Sequence, residues 1–191
     1  MGLNCNAVGA IAVLNHIQGI KMLRLSFILS AFLTLVAACT TTTGPAIGPD
    51  GLPLPQIYRI SAADAADVQF RMLDGINSLR QASGAAPIIM DARLNAAAAT
   101  HSRDMSVQNR PWHFGSDGSS ALDRGVRVGY TGQILGETIS ETYETELETL
   151  AAWMQLADTR EVILDRAASK MGFAWHQEAN GKIWYTLVLG T

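Results

Sequence analysis

Cysteine is scarce in this chain of 191 residues. Its two cysteines, Cys5 and Cys39, both lie in the N-terminal tract. The sequence beyond Cys39 therefore has no disulfide framework, no thiolate nucleophile and no cysteine ligand for a metal ion. Any chemistry in that part of the chain has to come from histidine, carboxylate, hydroxyl or basic side chains.

An excess of charge of one sign is also lacking. The chain has 14 Lys and Arg residues against 17 Asp and Glu residues, which gives a net charge of −3. Because the sequence shows no basic run or stripe, we expect no nucleic-acid partner. Hydrophobic residues make up 48% of the chain and charged residues 16%, so one domain of ordinary size can bury a core.

A hydrophobic run near the N-terminus is typical of a signal peptide. Lys21 and Arg24 precede an apolar stretch over 25–36, which is short for a membrane span and leads through two alanines to Cys39. The Val-Ala-Ala-Cys ending resembles a bacterial lipobox, in which the cysteine is lipidated and becomes the mature N-terminus. We therefore expect a lipoprotein signal peptide over 22–38, secretion across the inner membrane, and anchoring to a membrane of the cell envelope through a lipid on Cys39. Plain secretion and an uncleaved anchor are the alternatives.

Two further segments flank this leader. Residues 1–21 carry no charge before Lys21 and are interpreted as upstream sequence read from an early start codon, with Met22 as the natural initiator. Residues 39–60 are rich in threonine, glycine and proline, a composition typical of an extended tether. We expect the folded domain to occupy residues 61–191.

The sequence after the tether places helical patterns first and a hairpin last. Apolar residues recur at helical spacing from Val68 to Leu79, and a second helix is expected to begin after Asp91 as its N-cap. Two alternating apolar runs near the C-terminus flank Asn180-Gly181, the dipeptide most typical of a tight hairpin. This order predicts an α+β sandwich with a small antiparallel sheet that ends in a C-terminal hairpin.

Unusual polar chemistry is concentrated between Trp112 and Glu137. His113 precedes a serine-, aspartate- and glycine-rich stretch over 116–120, and Glu137 stands in a Gly-Glu-Thr-Ile sequence. A carboxylate beside an imidazole stabilises the imidazolium, and such a pair can act as a general base or clamp a hydroxyl or amide of a ligand. Serines near a histidine also suggest a hydrolase, but no Gly-x-Ser-x-Gly elbow is present. We interpret 116–120 as a turn followed by a helix cap.

Other residues in this region have simpler interpretations. His101 lies on the apolar face of the second helix and is interpreted as a core histidine. Trp112 is expected to pack into the core with the other tryptophans, and it is also a candidate for the floor of a ligand cleft. Four glutamates over 141–148 are interpreted as a solvated acidic face.

A series of short motifs runs from the first helix to the last strand. They are Asn77-Ser78-Leu79-Arg80, Leu94-Asn95-Ala96-Ala97-Ala98, the His113 stretch, Arg124, Gly129-Tyr130, Gly136-Glu137-Thr138-Ile139, Trp153-Met154, Gly172-Phe173-Ala174 and Trp184-Tyr185-Thr186. Together they resemble the bacterial SCP-like or CAP domain, of the cysteine-rich secretory, antigen 5 and pathogenesis-related-1 superfamily. The resemblance covers roughly residues 63–190 and implies an α-β-α sandwich.

The resemblance also implies a central cleft in which His113 and Glu137 occupy two positions. A second histidine of the family, from a Ser-Pro-Gly-His-Arg motif, is replaced by Thr159, and the Asn of the Gly-Glu-Asn motif is replaced by Thr138. Zinc requires several good ligands, of which imidazole is among the strongest, so Thr159 argues against a zinc site and we expect no cofactor. We expect the ligand cleft to be lined by His113, Glu137, Trp112 and Thr159.

Two functions stay open on the sequence. In the first, the domain binds a lipid, a glycan or a protein partner in this cleft without turnover. In the second, it is an envelope hydrolase that uses His113 and Glu137 as a general base. The lack of a nucleophile with a matching base favours the binding function.

Overall fold

The computed structural model describes residues 57–191, together with Pro49, Gly51 and Leu52. The expected signal peptide and Cys39 lie outside the described residues. The helices and strands are α1 (Ala65–Ala82), β1 (Ile89–Met90), α2 (Ala92–Gln108), α3 (Ala121–Arg127), β2 (Ile134–Thr142), α4 (Glu146–Gln155), α5 (Ala157–Ile163), β3 (Lys170–Gln177) and β4 (Ile183–Gly190). Among these helices, none has the length and apolar character needed to cross a membrane.

The strands form one sheet in the order β1-β3-β4-β2. β3 and β4 pair as the predicted antiparallel hairpin, and their turn includes Asn180 and Gly181, whose φ of +99° favours glycine. β2 pairs antiparallel with β4 and forms one edge of the sheet. The two residues of β1 pair parallel with β3 at the other edge, so the sheet is antiparallel except at this short strand.

Helices cover both faces of the sheet. On one face, Met72 of α1, Trp153 of α4 and Ile163 of α5 pack with Phe173 and Leu187 in the larger core. On the other face α2 packs in a smaller core, formed by Leu94, Ala98, Tyr130, Ala174 and Val188. All eight residues of β4 are buried, because this strand is central and covered on both sides. The predicted α+β class and the α-β-α sandwich are therefore confirmed.

Side-chain caps fix the beginnings of the helices that carry the site. Asp91 accepts hydrogen bonds from the backbone N–H groups of Arg93 and Leu94 at the start of α2, as predicted. Ser120 begins α3 through a capping box with Asp123. Each cap satisfies N–H groups that a helix leaves without partners, and such a cap typically contributes about 1 kcal/mol.

The Asn77-Ser78-Leu79-Arg80 motif connects the end of α1 to the rest of the domain. Asn77 exchanges hydrogen bonds with the backbone of Ile88, at 2.8 and 3.0 Å, and so holds the segment that leads into β1. The Arg80 side chain is fully buried and donates to the carbonyls of Ala86, Ile163, Asp165 and Ala168. The motif is therefore structural, because its polar groups satisfy backbone groups that would otherwise be buried without partners.

Residues 57–60, which the sequence analysis assigns to the tether, contact the domain. Gln177 brackets this segment, because its amide donates to the Tyr58 carbonyl and accepts from the Ile60 N–H. The Tyr58 hydroxyl donates to Glu146, which is 2% exposed and also binds Arg71. The prediction of a solvated acidic face is therefore wrong for Glu146, which is buried and whose charge is compensated by Arg71.

Candidate functional site

The serine-rich stretch after His113 forms a turn, as predicted. Gly118 has φ +78° and its N–H donates to the Gly115 carbonyl, while the Asp117 carboxylate accepts from the backbone of Ser119. The Ser116 N–H and hydroxyl both donate to Asp104 of α2, at 2.7 and 2.6 Å. The serines therefore support the loop, and Ser116 is held by a carboxylate and not by an imidazole.

Strand β2 aims Glu137 at the face of the sheet covered by α2. A side chain at Gly136 would meet Val162 of α5, on the opposite face, and successive residues of a strand point to opposite faces. Glu137 is paired in register with Val188, which belongs to the smaller core. Its side chain is only 3% exposed. A buried carboxylate at this position requires compensation of its charge.

Arg124, His113 and His101 surround the Glu137 carboxylate. Arg124 Nη2 donates to Oε2 at 2.5 Å, and the Arg124 side chain is 4% exposed. His113 Nδ1 lies 2.9 Å from Oε1 and acts as the donor, since a carboxylate only accepts. His101 Nε2 lies 3.7 Å from the same oxygen. The predicted pairing of His113 with Glu137 is thus present in the structure, and it belongs to a cluster of four side chains.

Arg124 also fixes the backbone of the loop. Its Nη1 donates to the carbonyls of Ser119, at 2.8 Å, and His113, at 3.2 Å. One buried guanidinium therefore connects strand β2, the residue that carries the exposed imidazole and the turn that precedes α3. This fork of donors suits arginine and not lysine, whose ammonium is a point charge.

The electrostatics of the cluster favour an ionised Glu137. Burial by itself would raise the pKa of Glu137, but the His113 hydrogen bond, the nearby His101 imidazole and the Arg124 guanidinium outweigh it and lower this pKa below its usual range. Burial lowers the pKa of His101, whose side chain is fully buried, and this effect outweighs the opposing one of the Glu137 carboxylate. Glu137 is therefore anionic and His101 neutral near pH 7.

Trp112 and Thr159 are the other two residues that were predicted to line the cleft. Trp112 is 44% exposed and does not pack into the core as its residue type suggested; it lines a surface groove together with Phe114. The Thr159 hydroxyl donates to the Trp153 carbonyl, and its helix α5 packs on Gly136 from the face opposite Glu137. The structure therefore brings His113 and Glu137 together, with Trp112 beside His113 in sequence, and shows no hydrogen bond from Thr159 to this pair.

Arg124 and His101 are the members of the cluster that sequence reasoning does not assign to the site. Arg124 stands only among the motifs of the resemblance, and its helix α3, in which three of seven residues are charged, gives no sequence signal that this side chain is buried. His101 lies in the core, as predicted, but its position on α2 does not indicate which strand it faces. Its approach to Glu137 depends on the packing of α2 against β3 and β4, which brings the helix over the face that Glu137 enters from β2.

The residues of the cluster do not fit a zinc ion. Glu137 already accepts from the Arg124 guanidinium, a fixed positive charge that a metal ion would have to approach within a few ångströms. Within residues 57–191, no group of three His, Cys, Asp or Glu side chains is arranged to hold a metal ion. The imidazoles and the carboxylate therefore form a hydrogen-bonded and ion-paired cluster.

Comparison with known proteins shows the family. The sequence pattern of the Cysteine-rich secretory protein family, or CAP family, matches residues 73–189, more than half of the chain. The chain belongs to this family. It is 27% identical over 120 residues to the protein YkwD of Bacillus subtilis strain 168, an alignment that covers 63% of this chain and 46% of YkwD. The match thus spans about half the length of that relative.

Solved structures show the same fold. An outer surface protein from Borrelia burgdorferi has a TM-score of 0.63 and 13% identity, over 71% of this chain and 98% of that one. An extracellular protein containing a SCP domain from Bacillus anthracis has a TM-score of 0.60 and 19% identity, over 77% of this chain and 45% of that one. At these identities the likeness establishes the CAP fold.

The burial of His101 predicts a specific loss of stability in mild acid. In the unfolded chain His101 takes up a proton near its ordinary pKa of 6.5, whereas the folded protein binds that proton only at lower pH. We expect the free energy of unfolding, measured in urea, to fall from pH 7.5 to 5.5, above the range in which Glu137 titrates.

The His101→Gln variant is expected to lose less stability than the wild type over this pH range, because glutamine takes up no proton. His176→Gln, which alters a histidine outside the cluster, should retain the wild-type dependence. An unchanged dependence in His101→Gln would show that another group causes the loss.

Proposed function

We propose that this protein is a lipid-anchored binding module of the cell envelope. In this proposal it holds a lipid, a glycan or a protein partner at the surface around His113 and Glu137, without turnover. The observation that carries the proposal is that both carboxylate oxygens of Glu137 are already engaged, one by Arg124 and the other by His113. The carboxylate therefore positions other groups and does not itself meet a substrate.

Glu137 is poorly suited to be a general base. An effective base has a pKa near the working pH and reaches the proton it abstracts. Glu137 is 3% exposed, and its pKa is lowered by the groups that surround it. Both properties favour a permanently charged clamp that orients the His113 ring.

The exposed side of the cluster has the properties of a binding surface. The side chain of His113 is 55% exposed, and Nε2 of its ring makes no hydrogen bond to a described residue, so this nitrogen is available to a ligand. Trp112 and Phe114, on either side of His113, are 44% and 46% exposed. Exposed aromatic residues next to a fixed polar group are typical of ligand-binding sites.

The anchoring part of the proposal depends on the leader. The lipobox-like sequence before Cys39 supports lipidation, and the threonine- and proline-rich segment after it supports a tether. Two proteins of the same fold are described as an outer surface protein and an extracellular protein, which is compatible with export of this chain.

The alternative is an envelope hydrolase that uses His113 as the base. It is favoured by one observation, the hydrogen bond from His113 Nδ1 to a buried carboxylate, which is how an imidazole is oriented for proton transfer. Against it, the Ser116 hydroxyl donates to Asp104 at 2.6 Å and is not paired with His113. A hydrolase would therefore have to activate water directly.

Comparison of the purified protein with its His113→Ala variant separates the two functions. His113 is largely exposed but donates to the buried Glu137 carboxylate, so this change is expected to lower the unfolding midpoint moderately while the protein stays folded. Native mass spectrometry should show a bound organic mass on the wild type that is lost from His113→Ala and retained by His176→Ala. Assays with ester, amide and glycoside probes should show no hydrolysis by the wild type. A wild-type hydrolytic rate that falls at least 100-fold in His113→Ala would establish the hydrolase instead.

Lipidation is tested in bacterial cells that express the whole chain. We expect Cys39→Ser to abolish incorporation of labelled palmitate and to move the protein out of the membrane fraction. Cys5→Ser is the matched control and should change neither property. Palmitate labelling that persists in Cys39→Ser would contradict the proposed anchor.

A further inference from the structure

A groove of about 410 Å³ opens between the end of α2 and the glycine-rich turn. The side chains of Arg110, Trp112 and Phe114 line it, together with the segment around Gly115 and Gly118. Its volume lies in the range of sites that bind small molecules. Trp112 and Phe114 flank His113 in sequence, so the groove is next to the surface proposed above for binding.

The aromatic side chains of the groove are held in a defined arrangement. The Trp112 and Phe114 rings pack edge to face, with centroids 5.4 Å apart and an interplanar angle of 62°. The Arg110 guanidinium carbon lies 3.8 Å from the centroid of the Trp112 ring. Such stacking restricts the conformations of the Arg110 side chain and leaves its N–H donors free. Less conformational entropy is therefore lost when a ligand binds.

The Arg110 guanidinium has no carboxylate partner among the described residues. Three other arginines of the domain have a carboxylate partner, namely Arg71, Arg124 and Arg127. Arg80, Arg160 and Arg166 have none but donate to backbone carbonyls, which Arg110 does not. The Arg110 side chain makes the contact with Trp112 and no hydrogen bond within the part of the chain that the structure describes. A preorganised cation without a counterion favours an anionic ligand.

The other polar groups of the groove are mostly used within the protein. The Gln108 amide donates to Asp104 and to the Phe114 carbonyl, and Ser116 is bound by Asp104. The groups left for a ligand are the N–H groups of the Arg110 guanidinium, the indole N–H of Trp112 and the parts of the two rings that Arg110 and the edge-to-face contact leave exposed. This set suits a molecule that joins a planar anion to a flat, weakly polar ring.

We propose that this groove binds an acidic saccharide, a sugar ring that carries a carboxylate. The carboxylate pairs with Arg110, whose fork of N–H donors matches its two oxygens. The C–H face of the sugar ring packs on Trp112 and Phe114, because polarised C–H groups are attracted to the negative face of an aromatic ring. An acyl chain would leave the guanidinium unpaired beside it. The inference rests on the proposed binding function and gives it a ligand class.

Titration calorimetry with trigalacturonate and its methyl ester tests this proposal on the purified protein. The ester keeps the sugar rings and removes the charge. The wild type is expected to bind the acid at least tenfold more tightly than the ester. Arg110→Gln should lose that preference, Arg110→Lys should keep part of it, and Trp112→Ala should weaken binding of both forms. The exposed arginine Arg103, outside the groove, provides the control Arg103→Gln, which should behave as the wild type.

Three results would overturn the saccharide proposal. The first is no binding of trigalacturonate or of the disaccharide of N-acetylglucosamine and N-acetylmuramic acid. The second is equal affinity for the acid and the ester. The third is Arg110-dependent binding to phosphatidylglycerol vesicles without saccharide binding, which assigns the site to a lipid headgroup. These results are separate from the native mass spectrometry test above. If the wild type carries a bound organic mass that the His113→Ala variant lacks, the binding function stands and only the ligand class fails.

Discussion

Burial of the Glu137 carboxylate is the constraint on which the site depends. A carboxylate that is 3% exposed is costly unless a charge compensates it, and Arg124 provides that charge at 2.5 Å. The arginine is equally buried, so each partner requires the other. Arg124 also donates to the carbonyls of His113 and Ser119. Formation of the ion pair therefore fixes the position of the loop that carries the exposed residues. The ion pair thereby links the core of the sheet to the surface of the domain.

The exposed surface around His113 depends on this ion pair. His113 gives its Nδ1–H to Glu137, so the ring is oriented and its other nitrogen remains available. Trp112 and Phe114, next to it in sequence, stay outside the core and line the groove. Other large hydrophobic side chains of the domain are more exposed, but Trp112 and Phe114 contact each other and form a small aromatic patch, which supports the proposed binding surface. The domain thus combines a closed electrostatic cluster with an exposed aromatic groove.

Much of the fold could be predicted from the sequence. Helical periodicity indicated α1, Asp91 indicated the start of α2, and Asn180-Gly181 indicated the hairpin, since all three signals are local. Strand β2 was not predicted, because Ile134–Thr142 is an edge strand with few apolar residues and its pairing with β4 is long-range. The pairing of His113 with Glu137 came from the family resemblance. The role of Arg124 could not be predicted, because it depends on three segments that meet only in the folded domain.

A double-mutant cycle on Glu137 and Arg124 tests the central claim most directly. The free energy of unfolding is measured in urea at pH 7.5 for Glu137→Gln, Arg124→Met and the double variant. Each single change leaves a buried group without its partner and is expected to cost about 3–5 kcal/mol, whereas the double variant should lose clearly less than the sum. The exposed pair Asp117 and Arg127 is the control and should show less than about 1 kcal/mol of coupling. Additive losses at Glu137 and Arg124, or losses as small as those of the control, would contradict the account.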